Sequence, residues 1–221
     1  MPTNINEFKL FTEFVSNKVQ VGGTVSPSQF NELAHRAQLA VFEKDRKIFL
    51  MTENASDYLQ FFLKNITLTV PLTGNLTYPS DFQHTASVRS YYVRPDGNSV
   101  EIPVAEVKNP NWGEIYISQL QKPSLRFPKY SEFNDHFKLL PVTIGTVMID
   151  YFKMPIAPVW GYTTVSGRPV YDPSSSTDFE WGAFAFNNVA SYYLQLIGVN
   201  LKDVELSSFA GLYSKETNSP L

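Results

Sequence analysis

The chain has 221 residues, enough for one large domain or two small ones with a buried core, and its 43% hydrophobic and 18% charged content excludes a disordered polymer. A net charge of −3 with no clustered Lys or Arg excludes tight, sequence-independent DNA binding. With no cysteine, disulfides, thiolate metal sites and cysteine nucleophiles are excluded as well.

The N-terminal quarter reads as helix. Asn4 and Glu7 have capping-box spacing, and Ile5, Phe8, Phe11, Phe14 and Val15 follow at helical intervals. Gly22-Gly23 breaks that pattern, and Ser26-Pro27 with Gln29 signals a second start. Phe30, Leu33, Ala34, Ala37, Val41 and Ile48 form the apolar stripe of a long helix, whose EKDRK stretch at 43–47 alternates in sign as a solvated face does. A third, shorter helix is predicted over 56–64, carrying Tyr58, Leu59, Phe61 and Phe62.

From residue 66 the period becomes two. ITLTVPL alternates as a half-buried strand, and residues 85–93 with the turn Pro95-Asp96-Gly97-Asn98 read as a hairpin. NPNWGEIYIS supplies one or two helical turns, and RFPKYSEF, FKLLP and TVMIDYFKMP supply three further strands, with His136 placed in a turn between them. Many of the 15 prolines fall in this section, which favours edge strands, arms and bulges. Helix returns at the C-terminus: Thr177 with Glu180 spaces as a capping box, Phe184, Val189, Tyr192, Tyr193, Leu196 and Ile197 follow, and Gly198 reads as a stop. A last helix carries Leu201, Val204, Leu206, Phe209 and Leu212 before the polar end KETNSPL.

These elements predict an α+β fold in which residues 1–65 and 176–221 form a helical bundle. Residues 66–175 are predicted to form a β-rich insert of antiparallel strands projecting from it, with an extended arm at about 153–172. The first residues lack a basic segment followed by an apolar one, so no secretory leader is expected, and the sequons at Asn54, Asn65 and Asn75 read as chance matches. The apolar runs are shorter than the ~20 residues a membrane span needs.

Motifs of chemistry are sparse. His35, His84 and His136 stand far apart, and no nucleophile elbow, P-loop, dinucleotide fingerprint or HExxH occurs. Ser174-Ser175-Ser176 reads as a loop, and Asp150 sits on the outer face of an alternating strand. A hydrolase would need carboxylates assembled in space from Glu101, Glu106, Glu114, Asp135 and Asp150. No catalytic residue, metal or cofactor is expected.

The aromatics say more. Trp112 follows Asn109-Pro110-Asn111, and KMPIAPVWGY places Pro155, Pro158, Trp160 and Tyr162 on one proline-stiffened stretch, with Tyr171 beyond the polar run TTVSGRPV. Three uses stay open here: a local core under a long loop, an interface arm in which rigid aromatics give area at little entropic cost, or carbohydrate stacking in a host-recognition β module.

In chain order, YPSDF (78–82), SYYVRPDG (90–97), residues 105–130, residues 139–162 and residues 178–206 resemble the head-to-tail connector, or ring adaptor, proteins of crAss-like and related tailed phages. The matching positions are Trp112, then Ser118, Leu120 and Pro123, then Pro128 and Tyr130, then Tyr151 and Pro155, and finally Pro158, Trp160 and Tyr162. The likeness runs from about residue 26 onward. It departs at Gly113-Glu114-Ile115, where the family pattern has an arginine, so it carries no inter-subunit salt bridge to that point.

The resemblance implies a structural virion protein with no enzymatic activity. It would be made in the bacterial host cytoplasm and assembled at the head-tail junction as a homo-oligomeric ring, usually of twelve copies. Its partners would be the portal protein and neighbouring tail or ring proteins, with no membrane. DNA would pass through the lumen without specific binding, which suits a chain of net charge −3. Trp112, Pro155, Pro158, Trp160, Tyr162 and Tyr171 are the expected protein-interface residues.

Overall fold

A computed structural model describes residues 3–16, 25–52, 59–200, 208, 211 and 212. The chain is α+β, with antiparallel pairing dominant in its sheets. By compactness it divides into two units, Met1–Phe61 with Pro155–Leu221, and Phe62–Met154. The predicted insert ended at 175; the observed division falls at 154/155, and Pro155 onward groups with the helices.

In the helical unit, α1 (Ile5–Ser16) starts where the sequence says it should, because Asn4 Oδ1 accepts from the N–H groups of Asn6 and Glu7 at 3.0 and 3.1 Å. Helix α2 (Pro27–Thr52) opens on a complete capping box. Ser26 Oγ accepts from Gln29 N–H at 3.3 Å, and Gln29 Oε1 accepts from Ser26 N–H at 3.1 Å. Phe8 of α1 is fully buried, its ring 4.8 Å from Phe179, 5.4 Å from Tyr193 and 5.5 Å from Phe186. This aromatic cluster joins α1 to the C-terminal helix, which also packs along α2, with Tyr193 5.4 Å from Phe30; Val189, Ala190, Leu194 and Ile197 of the same helix are buried.

In the β unit, β1 (Leu63–Thr69), β2 (Asn75–Thr77), β3 (Phe82–Val93), β4 (Ser99–Pro103) and β5 (Ala105–Glu106) come first. The short helix α3 (Glu114–Ile117) follows, then β6 (Lys129–Glu132), β7 (His136–Leu140) and β8 (Thr146–Lys153). They form two four-stranded sheets, β1-β8-β3-β4 and β2-β7-β6-β5, antiparallel except where β5 runs parallel to β6. Their shared core is Leu76, Val88, Tyr130, Phe137, Leu139, Val147, Ile149 and Tyr151, with their neighbours. Strand β8 shows the alternation that the sequence shows: Val147, Ile149 and Tyr151 point in, while Asp150 lies on the outer face. The 12-residue β3 slips register twice against β8, between Phe82 and His84 and between Thr85 and Ser87.

Several expectations are corrected. Of the predicted third helix, Leu59–Phe62 is a 3₁₀ turn and Leu63-Lys64 already begin β1; residues 56–58 lie outside the described residues. His136 opens a strand rather than occupying a turn. Thr177 and Glu180 do not cap a helix: Thr177 pairs with Val159 across a β-bridge, and Glu180 Oε2 accepts from Ile156 N–H at 2.9 Å. The C-terminal helix instead follows a 3₁₀ turn at Ala183–Ala185, and it runs through Gly198 to Asn200. Of the predicted last helix only Ser208, Gly211 and Leu212 are described, and all are helical; Gly22-Gly23 and the KETNSPL end lie outside.

Candidate interaction arm

The stretch after β8 is fastened to the helices one residue at a time. Ile156 C=O accepts from Gln38 Nε2 at 2.8 Å, and Val159 exchanges backbone hydrogen bonds of 2.9 and 2.8 Å with Thr177. Asn31 of α2 holds the backbone of Trp160 from both sides, its Oδ1 accepting from Trp160 N–H at 2.8 Å and its Nδ2 donating to Trp160 C=O at 3.4 Å. The indole N–H of Trp160 donates to Asn6 Oδ1 at 3.0 Å, and the Lys9 ammonium lies 4.4 Å from the ring centroid while also pairing with Glu13.

Gly161 follows because nothing larger fits. A Cβ there would stand 2.2 Å from Ser175 Oγ and 2.5 Å from the Ser175 carbonyl carbon. The chain then projects as a two-stranded hairpin, β9 (Tyr162–Val165) and β10 (Arg168–Tyr171). Ser166 and Gly167 have φ of 51° and 77°, the left-handed pair of a two-residue hairpin turn. Asp172 closes the base: its carboxylate accepts from Ser174 N–H, Ser174 Oγ and Ser175 Oγ, and the Ser174 and Ser175 donors hold it below the usual carboxylate range.

The root is therefore buried and the hairpin is not. Pro155, Pro158 and Trp160 are buried, Trp160 to 5% exposure, so its area is used within the chain. Tyr162 and Tyr171 stack beside Trp160 at 5.8 and 5.9 Å and carry the arm outward. Tyr162, Val165 and Val170 are exposed. Thus the structure brings Trp160, Tyr162 and Tyr171 together, whereas Trp112 lies in the β unit, edge-on to Phe133 at 6.5 Å. Val165 and Val170 were missed because TTVSGRPV reads as polar. Its Ser-Gly pair between β-branched residues is the hairpin signal that could have found them.

The scattered acids are occupied. Asp150 accepts from Asn65 Nδ2, Ser87 Oγ and Arg89 Nη2, and Arg89 also pairs with Glu101. Burial raises the Asp150 carboxyl, but the Ser87 and Asn65 donors and the Arg89 charge outweigh it and hold the group below its ordinary value. Asp135 pairs with His136, and His35 with Gln38. Glu106 and Glu114 line a polar cleft of about 580 Å³ together with Lys108, Lys129 and Gln121, a balanced set without a nucleophile–base pair. Among the described residues no three His, Cys, Asp or Glu side chains group as metal ligands, and no helix is long and apolar enough to cross a membrane. No protein-family model matches the sequence, and none of the curated proteins does.

Proposed function

We propose that this chain is a structural virion protein, a subunit of the head-to-tail connector ring between portal and tail through which the genome passes. The observation that carries it is the arm: a hairpin exposed on both faces, on a root tied to α1 and α2 by Trp160, Asn31, Asn6 and Gln38. A rigid root with a free, nearly uncharged end is what a subunit needs to reach a neighbour at little entropic cost. In this reading the helices form the bundle of the ring wall, the β unit meets the next component, and neighbouring copies, the portal and tail proteins are the partners. The net charge of −3 leaves DNA free to slide through the lumen. The carbohydrate-binding alternative loses a platform, since Trp160 is buried.

The test is the mass of the purified full-length chain by light scattering, alone and mixed with extracts of phage particles, with electron microscopy of any large species. A closed ring with a central lumen, formed alone or alongside its partners, is expected. A chain that stays monomeric in both settings refutes the proposal.

A further inference from the structure

Sheet edges are where chains recruit one another, and this chain guards its edges unevenly. Pairing parity says which residues turn their backbone N–H outward. In the hairpin, Asp172 N–H donates to Gly161 C=O at 3.0 Å and β9 pairs with β10 in register Tyr162↔Tyr171 to Val165↔Arg168. Tyr162 and Thr164 on β9, and Pro169 and Tyr171 on β10, therefore face away from the partner strand. Pro169 has no N–H to offer, so the β10 edge is closed.

The same device recurs in the β unit. Val104 N–H donates to Val88 C=O and Arg94 N–H to Asn98 C=O, which turns Ser99, Glu101 and Pro103 outward on β4. A proline and a charged residue close that edge too. Strands β2 and β5 have only three and two residues. Strand β1 is different. Val70 N–H donates to Gly145 C=O, so Leu63, Asn65, Thr67 and Thr69 point their backbone groups away from β8; all four are exposed and none is proline. Of the outermost strands of the three sheets, two thus stand open among the described residues, β1 with seven residues and β9 with four.

We infer that the open edge of β9 pairs with the open edge of β1 in a second copy of this chain, joining subunits head to tail. The inference rests on the connector reading and supplies its contact. An edge that meets a different edge makes a heterologous interface, the kind that closes rings. Tyr162 and Thr164 offer two N–H and two C=O groups to such a ladder, and β9 carries no charge to oppose Lys64, which is already paired with Asp81. A two-stranded hairpin is marginal alone, and a third strand would complete it.

The chain has no cysteine, so cross-linking is read on a silent background. Thr164→Cys copies are mixed with Thr67→Cys or Thr69→Cys copies of the full-length chain, oxidised and resolved by denaturing gel. A covalent dimer that forms several-fold more in a mixture than with either variant alone is expected. Thr164→Pro removes an N–H that the hairpin does not use, so loss of both cross-link and high-mass species with unchanged circular dichroism is expected; Thr67→Pro is its counterpart on β1. Cross-linking of Thr164→Cys alone, as efficient as in the mixtures, overturns the inference in favour of two-fold pairing of arms. A ring that forms without either cross-link and survives both prolines overturns the inference and leaves the connector reading standing. A chain that stays monomeric at every concentration, alone and mixed with particle extracts, and forms no cross-links overturns both.

Discussion

Replacing Trp160 asks whether the arm is held by its root. The side chain is 5% exposed, donates through Nε1 to Asn6 Oδ1 at 3.0 Å, and lies under the Lys9 ammonium at 4.4 Å. Truncating a buried tryptophan to alanine costs about 3–5 kcal/mol. The hydrogen bond accounts for about 1 kcal/mol of that and the cation contact for about 0.5–2 kcal/mol. W160F keeps an aromatic ring but strands the Asn6 acceptor, so about 1–3 kcal/mol is expected. The backbone clamp by Asn31 survives both changes, which separates the side chain from the chain path. Urea unfolding is followed by tryptophan fluorescence in a W112F background, where the remaining indoles, including the buried Trp181, belong to the helical unit. Amide exchange over Tyr162–Tyr171 reports the hairpin. Loss in the order W160A, then W160F, with faster exchange in the hairpin, is expected. A W160A midpoint within about 0.5 kcal/mol of the reference, the scale of a surface change, refutes the reasoning.

Three further outcomes are expected. G161A costs about 1–3 kcal/mol in thermal melts, and S175A does not rescue it, because the Cβ also meets the Ser175 backbone at 2.5 and 2.6 Å. D150N costs about 1–2 kcal/mol at neutral pH, discounted for the partial exposure of Arg89. The folded Asp150 carboxyl lies below its ordinary 3.8, so its stabilisation is present above that value and lost as pH falls through the folded value. Urea melts should therefore show D150N and wild type converging in acid. Glu132 has the opposite sign: burial raises its carboxyl, the Thr85 hydroxyl opposes the rise, and Glu106 adds to it, leaving it above its ordinary 4.5. Wild type then loses stability as pH rises through that window, so E132Q should be the more stable protein at neutral pH and lose its advantage below 4.5.

Local signals were legible where the side chain acts on its own backbone. The caps at Asn4 and Ser26 worked because a side-chain oxygen three residues from its donor needs no tertiary context. The alternation of β8 predicted which face Asp150 takes for the same reason, since period two is local. Thr177–Glu180 failed because both residues found other partners, Val159 and Ile156, that spacing alone does not reveal. Trp160 shows the limit most clearly. Its prolines and aromatics mark a special segment, but whether the indole faces a partner or the chain itself depends on Asn6 and Lys9, some 150 residues away in sequence.

Prolines at edges were likewise expected in kind and not in place. A proline guards an edge only where its missing N–H would have pointed outward; one residue further along, it would remove a ladder bond and weaken the sheet it protects. Pro103 and Pro169 both stand at outward positions, and that can be read only from register, from Val104 pairing with Val88 and Asp172 with Gly161. Two edges carrying the same guard while β1 and β9 carry none is a difference in kind between surfaces of one chain. A chain that needed only to stay soluble would gain from closing all four, because an open, exposed, nearly uncharged edge recruits other strands. That β1 and β9 remain open argues that recruitment is their use.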